Sequence, residues 1–303
     1  MPLLMFFIDG FGIGTADQEF NPFLTAKMDF FDELLKGEKL AETTNFAAYC
    51  TENRLIVPLD ATLNVVGLPQ SATGQTTLLT GINASRHCGR HIHGFPTIKL
   101  KALLQEHSIF KILRQNNLSA TFANTFTAEY FSQPKPRYSA TTLAAMAGDC
   151  RLRMVADLVN GEAVYQDITN EILKEKGYAV SVISPEEAAL NLVKIAAQND
   201  FTLFEYFQTD RCGHKQDREL ALLLLNRLDR FIGTISSELD QYQLDLIITS
   251  DHGNIENLAV KTHTYNPVPL IALGNNISCF DKARSIEDIY SCIIDYFNLK
   301  LME

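Results

Sequence analysis

Short apolar runs that end in a polar residue or a glycine alternate along the chain with amphipathic segments. The runs predict strands, because continuous apolar stretches of this length are typical of strands buried on both faces of a sheet. The predicted strands are 3–8, 54–59, 120–124, 179–183, 201–207, 244–249 and 268–273. Apolar residues at helical spacing predict helices at 99–116, 185–198, 217–239 and 285–297.

This alternation predicts an α/β fold with a mostly parallel central sheet and helices on both faces. We expect one domain over residues 1–303. Residues 127–178 are less regular, with a loop at 132–137, and are predicted to form a small lid or insertion. In such sheets, functional groups gather beyond the carboxyl ends of the strands.

Acidic residues and histidines stand where several predicted strands end. Six of them form the candidate metal-ligating set: Asp9, Asp210, His214, Asp251, His252 and His263. Carboxylate oxygens and imidazole nitrogens suit divalent zinc or manganese. The alternative is that these six are unrelated polar loop residues. Their combined occurrence after apolar runs favours a two-metal site. Adjacent Asp251 and His252 are expected to diverge, one toward each metal.

Small and hydroxyl residues fill the segment 67–81, which runs into a helix-compatible stretch. A helix start offers free N–H groups and a positive dipole end, and therefore a seat for phosphate. A serine or threonine there can act as a nucleophile if a metal lowers its pKa. An N-cap hydroxyl without chemistry is the alternative, and this segment alone leaves both open.

Composition narrows the classes of function. The chain has 303 residues, 46% of them apolar, and a net charge of −10. This charge offers no basic surface for nucleic acid, and an anionic substrate would need local positive charge or metal. Six cysteines without a Cys-x-x-Cys pair predict reduced thiols and a cytoplasmic location. The apolar run at the start of the sequence predicts a buried strand rather than a signal peptide. No apolar run is long enough for a transmembrane helix.

Five motifs occur in order along the chain: Phe7-Ile8-Asp9-Gly10-Phe11-Gly12, Ser71-Ala-Thr-Gly-Gln75, Asp210-x-x-x-His214, Asp251-His252-Gly253-Asn254 and His263-Thr264-x-Asn266-Pro-Val-Pro269. With them the chain resembles the alkaline phosphatase superfamily, in particular the branch of cofactor-independent phosphoglycerate mutase and phosphopentomutase. The resemblance implies two divalent ions, manganese or zinc. It assigns one to Asp210, His214 and His263, and the other to Asp9, Asp251 and His252.

The resemblance also places Ser71 at the nucleophile position, with Thr73 and Thr76 as alternatives. It implies that the serine attacks a small anionic phosphate ester in line and forms a phosphoserine, which water or an acceptor hydroxyl then resolves. Each metal would neutralise charge on the transferred group.

Two features of the chain depart from the mutase pattern. The mutases usually have a histidine where this chain has Gln75. They also insert a large cap after the nucleophile, whereas here Asp210 follows Ser71 by 139 positions, much of which must supply the core. Because a mutase excludes water with its cap, the short insertion favours a phosphatase or related hydrolase over a phosphomutase. A catalytically silent metal-binding domain is a third alternative.

The segment 86–93 is rich in arginine and histidine. We predict that Arg86, Arg90 and His91 form a cationic rim that binds substrate phosphate, with a solvated basic loop as the alternative. A sulfatase is disfavoured because the chain has no Cys/Ser-x-Pro-x-Arg motif. Dinucleotide binding is disfavoured because the glycines after Asp9 do not meet the G-x-G-x-x-G spacing. Nothing in the chain indicates an oligomeric state.

Overall fold

A six-stranded sheet forms the centre of the molecule in the computed structural model, which describes residues 1–299. The strands are β1 (Leu3–Ile8), β2 (Arg54–Leu59), β3 (Ala120–Phe122), β4 (Thr125–Phe126), β5 (Arg153–Met154), β6 (Phe201–Tyr206), β7 (Asp245–Thr249) and β8 (Val268–Leu273). The central order is β2-β8-β7-β1-β6-β3, and β4 and β5 pair separately. Strand β1 is parallel to β6 and β7, and β3 is parallel to β6, whereas β8 is antiparallel to β2 and β7.

Helices cover both faces of this sheet. They are α1 (Asp29–Leu34), α2 (Ser71–Thr80), α3 (Ala84–Cys88), α4 (Ile98–His107), α5 (Ile109–Gln115), α6 (Ala128–Phe131), α7 (Ala140–Ala147), α8 (Val155–Val159), α9 (Glu171–Glu175), α10 (Pro185–Ala196), α11 (Gln208–Lys215), α12 (Arg218–Tyr242) and α13 (Asp288–Tyr296). The 3-10 helices are Pro22–Leu24, Phe46–Tyr49 and Ile277–Lys282. The predicted α/β fold with a mostly parallel sheet is therefore confirmed.

Strand β1 shows why its sequence is apolar without alternation. Leu4, Phe6 and Ile8 face a core with α10 and α12, and the residues between them face a second core with α2, α5 and α13. A strand that alternates between two apolar cores has no polar face. Because β1 lies between β7 and β6 in the sheet, its carboxyl end lies at the centre of the sheet, between the ends of those two strands.

Two of the predicted elements are wrong. Residues 179–183 form no strand, because the Ile183 N–H donates to the Thr169 carbonyl and the Asn170 amide donates to the Ser181 carbonyl, which holds the segment in a loop. The predicted helix 99–116 is interrupted at Ser108, whose ψ of 133° is extended. The Ser108 hydroxyl donates to the Ala144 carbonyl at 2.7 Å, a tertiary bond that offsets the broken helix.

The segment 127–178 contains the short helices α6 to α9 and the strand β5. A β-bridge joins Val164 of this segment to Asn124, the residue immediately before β4. The assignment of this segment as a lid stays a prediction. No helix within residues 1–299 combines the length and the apolar character that crossing a lipid bilayer requires.

Candidate metal centre

Asp9, Asp251 and His252 meet at the carboxyl ends of β1 and β7, two neighbouring parallel strands. The His252 Nε2 atom is 3.3 Å from the Asp9 Oδ1 atom and 3.5 Å from the Asp251 Oδ2 atom. All three residues are buried. Asp9 Oδ1 and both carboxylate oxygens of Asp251 accept no hydrogen bond from the described residues. Buried carboxylate oxygens without donors are costly, so this cluster suits a cation.

A second cluster consists of Asp210 and His214 on α11 together with His263. The Asp210 carboxylate oxygens lie 3.4 Å from the Nε2 atoms of His214 and of His263, and those two nitrogens are 3.3 Å apart. Ligand atoms around a tetrahedral ion with bonds of about 2.0 Å are separated by about 3.3 Å. The spacing in both clusters therefore fits a divalent ion.

Backbone carbonyls fix the rings of the second cluster. The Nδ1–H of His263 donates to the Pro69 carbonyl at 2.8 Å, and that of His214 donates to the Lys261 carbonyl at 2.6 Å. A carbonyl only accepts, so Nδ1 of each ring carries a proton and Nε2 is the ring atom available to a metal.

The two clusters are in direct contact. The His252 ring stacks on the His263 ring with centroids 3.6 Å apart and an angle of 13° between the planes. The expectation that Asp251 and His252 diverge toward different metals is wrong, since both belong to the cluster of Asp9. The loop that follows β7 turns both side chains to the same side.

Burial raises the pKa of Asp9, and the nearby Asp251 carboxylate raises it further. Burial also raises the pKa of Asp251, to about 7, with a further contribution from Asp210. For His252, burial and then the neighbouring His263 lower the pKa to about 3, so its ring is neutral at physiological pH. Acids crowded in this way carry an electrostatic penalty that a divalent cation would relieve.

In the second cluster the pKa of the acid is lowered rather than raised. Burial tends to raise the pKa of Asp210, but the hydrogen bonds from His214 and His263 outweigh it and hold that pKa well below its usual range. The same contact with Asp210 raises the pKa of His214 to about 9. In the absence of a cation, a proton on His214 can balance the charge of this carboxylate.

Ser71 is the first residue of α2, and its Oγ atom lies 2.9 Å from the His252 Nε2 atom. The other two candidate hydroxyls are engaged elsewhere. The Thr73 hydroxyl donates to the Gln70 carbonyl and accepts from the Ile92 N–H, and the Thr76 hydroxyl donates to a carbonyl one turn back. Of the three predicted candidates for the nucleophile, Ser71 is the one whose hydroxyl faces the clusters.

Gln75 lies one turn along α2, and its side-chain amide donates to the Asp9 Oδ2 atom at 3.1 Å. The residue that departs from the mutase pattern is thus in direct contact with a candidate metal ligand. Gly74 lets the helix come this close, since a Cβ atom there would lie 2.9 Å from the Asp251 Cβ atom. A side chain at position 74 would push the helix away from the cluster.

Replacing Gln75 by alanine is expected to lower divalent metal affinity about 10- to 100-fold, because Asp9 would lose the donor that orients it. Titration calorimetry with Mn²⁺ or Zn²⁺ measures this change. Gln105→Ala, which removes an exposed glutamine from α4, serves as the control. Equal metal affinity in both variants would show that Gln75 does not position Asp9.

Sequence reasoning missed Glu256, a carboxylate that is 1% exposed. It accepts from the backbone N–H groups of Gly12 (3.1 Å) and Asn254 (2.7 Å), and from the side chains of Thr264 (2.5 Å) and Asn266 (3.0 Å). Glu256 therefore ties the loop after β1 to the loops that carry the ligands after β7. All four of its donors lie in quoted motifs, but their common acceptor is visible only in three dimensions.

The three residues of the predicted cationic rim are either exposed or bonded within the protein. Arg86 and Arg90 are exposed, and the His91 ring contacts the Ser85 hydroxyl and the Val65 carbonyl. None of the three lines either cavity beside Ser71. Their role in binding substrate stays a prediction.

Two cavities adjoin Ser71. The first, of about 460 Å³, is also lined by Asp9, Gln75 and Asp210, and its cationic side chains are Lys176 and Arg211. The second, of about 380 Å³, borders the cluster of Asp210, and it contains Lys261 and His93. The lysine and arginine side chains that line these cavities, Lys176, Arg211 and Lys261, are therefore not those of the predicted rim.

The chain belongs to the metalloenzyme superfamily, whose family model matches residues 1–301. A relative is the 2,3-bisphosphoglycerate-independent phosphoglycerate mutase of Mycoplasma genitalium, 31% identical over 106 residues. That match covers 33% of this chain and 21% of the mutase, so the chain matches only about a fifth of the relative's length. The resemblance to the alkaline phosphatase superfamily and its mutase branch is confirmed.

Solved structures share the fold. A protein from Pyrococcus horikoshii superposes with a TM-score of 0.61 at 15% identity, covering 100% of this chain and 98% of that one. The alkaline phosphatase from the Antarctic bacterium TAB5 superposes with a TM-score of 0.55 at 13% identity, covering 99% of each chain. The family and the two residue clusters together support binding of divalent metal.

Proposed function

We propose that this protein is a metal-dependent phosphoryl-transfer enzyme that moves phosphate from a small ester to water through a phosphoserine at Ser71. The observation that carries this proposal is the 2.9 Å contact between Ser71 Oγ and His252 Nε2, inside a buried cluster that fits a divalent ion. Membership of the metalloenzyme superfamily and the similarity to a phosphoglycerate mutase support the same reaction type.

Asp9, Asp251 and His252 would hold one divalent ion, and Asp210, His214 and His263 the other. When bound, manganese or zinc ions supply charge neutralisation on phosphate oxygens and lower the pKa of a hydroxyl group. Gln75 keeps Asp9 oriented, and the carbonyls of Pro69 and Lys261 keep the two histidines of the second cluster oriented.

The helix start places the substrate. Ser71 opens α2, whose start has no side-chain cap, so the positive end of the helix dipole is available to an anionic phosphate. A bond forms between the Ser71 Oγ atom and phosphorus as the ester P–O bond breaks, and the alcohol leaves with the serine proton. Water then attacks the phosphoserine, and Ser71 recovers its proton as inorganic phosphate departs.

Water is the acceptor that the cavities favour. The larger cavity reaches the surface, because exposed residues such as Phe95, Lys176 and Arg211 line it. From the segment 127–178, Thr127, Tyr130 and Tyr165 line the same cavity, and we assign this segment the role of a partial lid. A phosphomutase is the second candidate, and the similarity to a phosphoglycerate mutase is what favours it.

The test is a screen of phosphate monoesters with the protein loaded with Mn²⁺ or Zn²⁺. Inorganic phosphate release is measured beside isomerisation of phosphoglycerate and of phosphopentose. We expect release of phosphate from at least one ester. Isomerisation without free phosphate would assign a mutase instead. Stoichiometric metal binding with no turnover of any ester would identify a catalytically silent domain.

A further inference from the structure

Six aromatic rings line the larger cavity beside Ser71. They come from separate parts of the chain: Phe95, Phe122, Phe126, Tyr130, Tyr165 and Phe207. Three of them form a continuous wall, with ring centroids 5.9 Å apart for Phe122 and Phe126 and 5.2 Å apart for Phe126 and Tyr130. A cavity of about 460 Å³ with such walls has the size and character of a site for a small organic group.

Several polar groups in this wall already have partners within the protein. The Asn124 side chain makes two hydrogen bonds with the backbone of Glu205, at 2.7 and 2.8 Å. The Gln166 amide oxygen accepts from Gln208, and the Tyr130 hydroxyl lies 3.3 Å from that of Thr142. Because these groups are satisfied, they do not require a polar ligand.

Charge in the cavity disfavours an anionic substituent. Glu205 is buried in this wall and is not one of the proposed metal ligands, whereas the two cationic side chains of the cavity, Lys176 and Arg211, belong to exposed residues. A carboxylate on the substrate would approach the buried Glu205 carboxyl group, and two acids held close together cost free energy. An uncharged group avoids this cost.

Ser71 and the aromatic wall belong to the same cavity, so a group esterified to a phosphate at Ser71 has this wall beside it. We propose that the substrate is a phosphate monoester whose alcohol carries an uncharged aromatic ring, seated among these rings. This inference rests on the proposed phosphoryl transfer at Ser71. Aromatic pairs favour offset and edge-to-face contacts, and burial of the ring adds to affinity.

Benzyl phosphate and methyl phosphate separate ring recognition from leaving-group chemistry, since their alcohols have similar acidity. With metal-loaded protein, we expect kcat/KM for the benzyl ester to exceed that for the methyl ester by at least about tenfold. Benzylphosphonate and methylphosphonate provide a readout that needs no turnover. By calorimetry, the benzyl compound is expected to bind at least about tenfold more tightly, or about 1.4 kcal/mol.

Phe95 is the ring to alter, because at 47% exposure its removal spares the core. Phe95→Ala is expected to reduce the benzyl-to-methyl ratio at least about threefold, and Phe95→Tyr to retain it. Ile98→Ala is the control, since Ile98 is 88% exposed and lines neither cavity.

The outcomes distinguish this inference from the proposed function. Turnover of both esters with equal kcat/KM, or equal binding of both phosphonates, would overturn the aromatic site and leave phosphoryl transfer standing. Tighter binding of benzylphosphonate without turnover of either ester would support the aromatic site and contradict phosphoryl transfer. A benzyl preference that Phe95→Ala leaves unchanged would overturn the placement of the ring in this cavity.

Discussion

Replacing Ser71 by alanine is expected to abolish phosphoenzyme formation and to lower phosphate release on the order of a thousandfold or more. The hydroxyl removed is the one that lies 2.9 Å from His252 Nε2, and no other candidate hydroxyl on α2 faces the clusters. Acid quenching after incubation with ³²P-labelled ester, followed by counting of protein-bound label, measures the intermediate. Metal content should stay unchanged, because six other side chains supply the proposed ligands.

Thr73→Val is the matched control for this variant. It removes a neighbouring hydroxyl that bonds the Gln70 carbonyl and the Ile92 N–H, so a stability loss of about 1 kcal/mol is expected with labelling intact. Label on the Ser71→Ala protein, together with loss of label in Thr73→Val, would transfer the nucleophile to Thr73.

Replacing Asp251 by asparagine is expected to weaken metal binding at the first cluster at least about 100-fold and to remove phosphate release with it. Asp251 is fully buried, and neither of its carboxylate oxygens accepts a hydrogen bond within residues 1–299. The neutral amide takes away one of the crowded acids. In chelator at neutral pH, the variant should therefore melt at a higher temperature than the wild type, and with metal at a lower one.

The pH dependence of the metal-free wild type checks the same electrostatics. The pKa of Asp251 is raised to about 7, so the folded state holds a proton that the unfolded state lacks, and stability falls as pH rises toward 7. Below about pH 6.5, the lowered pKa of His252 instead makes the stability of the folded state rise with pH. The pKa of His214 is raised to about 9, so the stability of the folded state continues to fall as the pH rises toward 9.

We therefore expect the melting temperature in chelator to fall between pH 6.5 and 9, and to vary less with metal bound. Differential scanning calorimetry at matched ionic strength measures both profiles. A metal-free protein whose stability rises over this range, or an Asp251→Asn variant that melts below the wild type in chelator, would contradict the assignment of a repulsive acidic cluster.

The sheet was predictable because its apolar runs are local and its topology brings the strand ends together. Asp9 and Asp251 are far apart in sequence, yet β1 and β7 are parallel neighbours, so residues just after them meet. The six candidate ligands could thus be grouped from motifs alone. Their detailed assignment to two clusters came from the resemblance, whereas reasoning from the strand alone divided Asp251 and His252 incorrectly.

Other features depend on contacts that no local pattern encodes. Glu256 reaches a backbone N–H at Gly12, and the helix break at Ser108 depends on a carbonyl at Ala144. The segment 179–183 is apolar enough for a strand, but bonds to residues 169 and 170 hold it as a loop. The charge pattern of 86–93 likewise could not reveal that His93, and not Arg86, Arg90 or His91, lines a cavity beside Ser71.

The central position of β1 has a consequence for biosynthesis. Its two partners, β6 and β7, begin at Phe201 and Asp245, so β1 waits for about 200 further residues before it can pair. At translation rates of about 5–20 residues per second, that wait is on the order of 10–40 seconds. During this time an entirely apolar strand has no sheet to join. The nascent chain is therefore expected to need a chaperone that shields β1, and to acquire metal only after β7 has been made.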